Sequence, residues 1–146
     1  MEWCVRSFGE LSTGELYALL KLRADIFVVE QECAYADPDG KDPLALHLLG
    51  YEGAELAACA RIFGPGDYLE QASIGRVAVN SKYRGRHLGK QLMHRALEAV
   101  RERWGAVPVA LSAQTYLLKF YRELGFVETG AEYLEDGIPH IMMVRD

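Results

Sequence analysis

The sequence predicts one mixed α/β domain spanning residues 1–146, with a mostly antiparallel central sheet of about six to seven strands flanked by helices. Three observations predict it. The chain is 146 residues long, half apolar and a quarter charged, enough for one core and ordinary for a globular domain. Its apolar spacing alternates between strand-like and helix-like repeats in the order β-α-β-β-β-α-β-α-β-β. No repeat, low-complexity tract or Ser/Pro/Gly-rich linker divides it.

Each element has a local cause. Trp3–Phe8 reads as a short strand. Ser12-Thr-Gly-Glu15 is a capping box, in which Ser and Glu side chains satisfy the free amides that open a helix. That helix carries Leu16, Leu19, Leu20, Ile26 and Phe27 on one face and ends near Glu30. Asp37-Pro-Asp-Gly40 supplies turn geometry, so 31–43 is a loop. Leu44–Glu52 and Glu55–Phe63 flank a turn at Gly53 as a hairpin, and Ala72–Asn80 follows Gly64-Pro-Gly66 as a further strand. Arg86–Trp104 is an amphipathic helix with Leu88, Leu92, Met93, Ala96, Leu97, Val100 and Trp104 on one side. Val107–Ala113 is a strand and Thr115–Leu124 a short helix closed by Gly125. Phe126–Tyr133 and Ile138–Val144 form a terminal hairpin around Glu135-Asp-Gly137.

Bulk properties narrow the function classes. No apolar run approaches the roughly 20 residues that span a bilayer, and the first residues lack a basic start with an apolar stretch, so the expected location is the cytoplasm with no membrane partner. Cys4, Cys33 and Cys59 are an odd number at wide spacing, which argues against a disulfide framework and a cysteine-rich zinc site. A net charge of −5 disfavours nucleic acid as a partner, since that needs a broad basic surface. His87 and His94 lie on one helix without further ligands, and Asp37-Pro-Asp-Gly40 lacks EF-hand spacing, so no metal is expected.

The informative segment is Ser73–Lys90, where a strand runs through a basic, glycine-containing turn into a long helix. Free amides at a helix start carry partial positive charge, and glycines let backbone approach a ligand. Lys82, Arg84, Arg86, His87 and Lys90 concentrate positive charge there. A pyrophosphate group fits such a turn, and the plain alternative is a solvated basic turn before an amphipathic helix. The Gly-x-x-x-x-Gly-Lys-Ser/Thr pattern of a P-loop is absent.

Arg84-Gly-Arg-His-Leu-Gly89 resembles the acetyl-CoA-binding motif of GNAT N-acetyltransferases, Arg/Gln-x-x-Gly-x-Gly/Ala after a strand. His87 stands where the family has its first glycine, and Gly89 matches the second. Downstream, Gln114-Thr-Tyr-Leu-Leu-Lys-Phe-Tyr121-Arg-Glu-Leu-Gly125-Phe126 is similar to the second motif, with Gln114 at a frequent Asn position. With Leu22-Arg23, Phe27–Gln31, Asp37–Gly40 and Tyr133–His140, the resemblance covers nearly the whole chain and looks like the ElaA-type branch. It implies acetyl-CoA as acyl donor, held by Val77, Ala78, Val79, Arg84, Gly85, Arg86, His87, Leu88, Gly89, Lys90, Gln114 and Tyr121. It also implies direct transfer to an amine in a ternary complex, the acceptor being a small molecule or peptide.

Such transfer needs a neutral amine, stabilisation of the developing oxyanion and a proton for the leaving sulfur. Backbone amides of Val77–Val79 are candidates for the oxyanion and Tyr121 for the acid, although its apolar neighbours also fit a core role. Glu30 and His47 are candidate bases, and Asp37, Asp39, Asp42, Glu135 and Asp136 are candidates to attract a cationic acceptor or simply to form turns. Three alternatives stand beside this reading: covalent transfer through Cys33 or Cys59, a non-catalytic acyl-CoA-binding module, and a relative of acyl-homoserine-lactone synthases, suggested by Arg23, Phe27 and the acidic loop. The terminal hairpin could pair or exchange in a homodimer.

Overall fold

A computed structural model describes residues 1–146. Its sheet has seven strands: β1 (Glu2–Ser7), β2 (Leu46–Glu52), β3 (Glu55–Phe63), β4 (Ala72–Val79), β5 (Val109–Gln114), β6 (Val127–Glu135) and β7 (Ile138–Arg145). They lie in the order β1-β2-β3-β4-β5-β7-β6, all antiparallel except β4 against β5. Helix α1 (Thr13–Arg23) covers one face, and α2 (Leu88–Trp104) with α3 (Leu118–Glu123) covers the other. No helix is long and apolar enough to cross a membrane.

The capping box opens α1 as expected: the Glu15 amide donates to Ser12 Oγ at 3.0 Å and the Ser12 amide to Glu15 Oε1 at 2.9 Å. The helical path reaches Glu30, but over Ala24–Glu30 it widens into a π-helix. Leu19, Leu22 and Ile26 pack on Leu49, Cys59 and Ala78, while Leu92, Met93, Ala96 and Val100 pack on Leu48, Ala58, Ala60 and Ile74. Residues Leu56–Phe63 of β3 are therefore buried on both faces.

Boundaries move where short turns intervene. Asp42–Leu44 is a 3₁₀ turn, so β2 starts at Leu46 rather than Leu44. The helix expected from Arg86 begins at Leu88, because His87 is left-handed with φ 57°. Thr115–Leu117 is 3₁₀, leaving α3 shorter than the expected Thr115–Leu124.

Two irregularities of β4 create the site. Its pairing with β5 consists of Ala72 with Val109 and Ser73 with Ala110, after which the strands splay. Toward β3 the register steps from Arg61–Gly75 to Cys59–Ala78, a bulge in which Arg76 takes a positive φ of 47°.

The loop after α1 is fastened by a buried ion network. Arg23 Nε donates to Asp37 at 2.8 Å, and its Nη1 and Nη2 to the two oxygens of Asp42 at 3.0 and 3.3 Å. Arg61 holds Asp39 at 2.8 and 3.0 Å and Asp42 at 3.1 Å, and Arg76 Nε lies 2.8 Å from Asp37. Asp37, Asp39 and Asp42 are thus committed to internal arginines. They are not the free carboxylates that would attract a cationic acceptor, and Arg23, part of the suggested likeness to lactone synthases, serves the same internal network.

Candidate functional site

The splay of β4 and β5 opens a cleft of about 810 Å³ that passes through the sheet. On the α2 side it is lined by Arg84, Gly85 and the run His87–Lys90, and on the α1 side by Glu30, Gln31, Cys33, Tyr35, Glu135 and His140. Leu111, Leu117, Phe120 and Tyr121 form the apolar waist between the two mouths.

At the first mouth, the earliest helical bond of α2 runs from the Gln91 amide to the His87 carbonyl, so the amides of Leu88, Gly89 and Lys90 have no partner in the helix. Gly85 (φ 83°) and His87 (φ 57°) curl the preceding backbone through left-handed conformations, the form that exposes successive amides to an anion. A Cβ on Gly89 would meet Phe120 at an ordinary 3.6 Å, so the protein's own packing does not demand glycine there, and the open space suits a ligand lying against the backbone. Arg84 is held in place: its guanidinium grips both oxygens of Glu30 at 2.8 Å and donates to the Val79 carbonyl at 3.2 and 3.3 Å.

His87 lines the cleft in a conformation that costs an L-residue roughly 1–2 kcal/mol. Replacing it with glycine is expected to raise folding stability by about 1 kcal/mol, read from the urea midpoint. Measured in parallel, an unchanged acetyl-CoA affinity in His87→Gly would make the imidazole a bystander.

At the waist, Tyr121 is 7% exposed and stands edge-on to Phe120 and Phe126, with ring centroids 5.1 and 6.0 Å away. Burial, with a smaller contribution from the Tyr116 phenol, pushes its pKa up to about 12. The hydroxyl therefore keeps its proton at neutral pH, as an acid must before use.

At the second mouth the side chains of Ser112 and Gln114 on β5 and His140 on β7 share a sheet face, since Gln114 is paired with His140. The Gln114 amide reaches Gln31 at 3.4 Å across the cleft, and Ser112 Oγ hydrogen-bonds the Tyr133 hydroxyl. Cys33 Sγ donates to the Asp136 carbonyl at 3.3 Å, tying the loop to the β6–β7 turn.

Four predicted residues lie elsewhere. His47 is 2% exposed, absent from the cleft lining, and its Nε2 sits 2.9 Å from the Asp42 carbonyl beneath the ion network. Burial, only partly offset by that contact, lowers its pKa, and it is no base for this cleft. Ala78 points its methyl into the α1 layer, so only its backbone belongs to β4's edge, and Arg86 stacks outward, 5.3 Å over Tyr83. Cys59 is buried with its thiol pushed up to about 12 by desolvation, which removes it as a nucleophile. Sequence reasoning assigned no role to His140, although the two-residue repeat of β7 puts Ile138, His140 and Met142 on one face. What hid it was the insertion of β7 between β5 and β6, which linear order does not reveal.

Residues 46–146 match the family model of the acetyltransferase (GNAT) domain, a stretch that holds β4, the basic turn, α3 and the terminal hairpin. The chain belongs to the GNAT acetyltransferase family. ElaA of Escherichia coli K12 is 47% identical over all of this chain and 97% of that protein. The crystal structure of E. coli ElaA superposes with a TM-score of 0.93 at 46% identity, covering 99% of both chains. An acyl-CoA N-acyltransferase from Pseudomonas aeruginosa superposes with a TM-score of 0.95 at 44% identity, again over 99% of both. These likenesses place the chain in the ElaA-type branch of GNAT proteins, and the seven-stranded mixed sheet is the GNAT fold.

Proposed function

We propose that the chain moves an acetyl group from acetyl-CoA directly to an amine acceptor in a ternary complex. The observation that carries this reading is a through-going cleft with free helix amides at one mouth and a neutral, buried phenol at its waist. The basic turn holds the pyrophosphate with the amides of Leu88, Gly89 and Lys90. The open edge of β4 beyond Ser73 offers backbone groups around Val77 to the pantetheine arm and the thioester oxygen. Tyr121 supplies the proton that the departing sulfur takes. Glu30 lines the cleft, but both its oxygens are engaged by Arg84, so its role is to position that guanidinium rather than to accept a proton.

Thermal unfolding with acetyl-CoA, CoA and dephospho-CoA tests the donor. Ligand at about 100 times its Kd stabilises the folded state by roughly 2.7 kcal/mol, and a rise in Tm is the expected result. No rise with any of the three would overturn the reading.

A further inference from the structure

At the second mouth, His140 is 6% exposed and fixed on three sides. Its Nδ1 lies 2.7 Å from the Ile138 carbonyl, which can only accept, so Nδ1 carries the ring proton and Nε2 is the lone-pair nitrogen of the neutral ring. The ring stacks on Tyr133, 6.1 Å between centroids at 23°, and Tyr133 is anchored by Ser112. Nε2 faces Glu135 Oε2 at 3.4 Å. Two acceptors that close repel each other unless a donor joins them, and both line the cleft. An alkylammonium fits, since one of its N–H groups can reach the imidazole and another the carboxylate.

Resting on the acetyl-transfer reading, we propose that His140 and Glu135 receive the acceptor as an alkylammonium ion and that His140 Nε2 is the base that deprotonates it. Nε2 takes one proton and releases it to solvent while Glu135 stabilises the transient imidazolium. The neutral nitrogen then attacks the thioester carbon. A C–N bond forms, the C–S bond breaks, and sulfur takes the Tyr121 proton. The nitrogen sheds its second proton to His140, which passes it to solvent, and the Tyr121 phenolate regains one from solvent, so amide, thiol and one net proton leave. Besides Glu135, Tyr133 on β6 faces the ring, and the other titratable or charged groups on this side of the cleft are Asp136 in the turn, Cys33 and Tyr35 in the loop, Arg76 on β4, Tyr116 ahead of α3 and Glu30 at the end of the first helical path.

The test follows thiol release from acetyl-CoA with n-butylamine as acceptor, in wild type, His140→Gln and Glu135→Gln. The pH runs from about 7 to 9.5, over which an amine of pKa about 10.4 becomes steadily more neutral. His140→Gln is expected to lower kcat/KM at least ~100-fold near pH 7, with the deficit shrinking as pH rises. Glu135→Gln, an isosteric change at a half-exposed side chain, is expected to raise KM for the amine. Should His140→Gln fail to fold, Glu135→Gln decides. Unchanged kinetics and pH profile in the folded variants overturn the proposal. So does acetyl-CoA binding by wild type without thiol release to n-butylamine, whereas absent acetyl-CoA binding overturns the acetyl-transfer reading itself.

Discussion

Replacing Tyr121 with phenylalanine is expected to lower kcat by about 10²- to 10⁴-fold, the usual contribution of a positioned acid, while leaving acetyl-CoA affinity nearly unchanged. The substitution removes one hydroxyl and keeps the ring that packs between Phe120 and Phe126. A phenol with its pKa pushed up to about 12 looks too weak to protonate a thiolate. Burial acts on both partners, however, and this chain's own desolvated thiol, Cys59, is likewise pushed up to about 12. Around the buried Tyr121 a leaving sulfur is made more basic by the same loss of solvation, which narrows the gap between thiolate and phenol. Single-turnover thiol release separates this step from binding. A loss confined to Kd, with chemistry intact, would reduce Tyr121 to a wall of the cleft.

Arg23→Met is expected to destabilise the fold by about 3 kcal/mol, the lower end for a broken buried ion pair, because it removes the cation that Asp37 and Asp42 share and leaves them only Arg76 and Arg61 respectively. For a chain of this size that corresponds to a fall in Tm on the order of 10 °C. Lysine would not substitute, since one ammonium cannot present the fork that spans two carboxylates. The same network sets an acid limit. Burial works to raise the Asp39 pKa, but the hydrogen bonds from Arg61 and the Lys41 amide, with the Arg76 charge, outweigh it and hold Asp39 down at about 2. A carboxyl depressed on folding contributes stability above its unfolded pKa of about 3.9 and loses it as pH falls toward the folded value. Urea midpoints should therefore drop between about pH 4 and pH 2, and a midpoint flat across that interval would contradict the network's role.

Linear patterning carried the element order, and two short motifs carried the family resemblance. Glu55–Phe63 was readable as a strand from its apolar run between turn residues, α1 from its capping box, and the basic turn from its charge and glycines, because these signals are local. The second mouth was not readable. Whether Asp42 faces solvent or Arg23, whether His47 meets a ligand or a carbonyl, and whether His140 opens onto the cleft depend on strands distant in sequence. By itself, then, the sequence determined the elements and the basic, glycine-containing turn, since backbone preference and residue spacing act over a few positions, and its motifs carried the family resemblance. Only the tertiary structure decided which carboxylates are neutralised and which of His47 and His140 reaches the cleft, since burial and charge pairing are properties of neighbours that the chain brings together across the sheet.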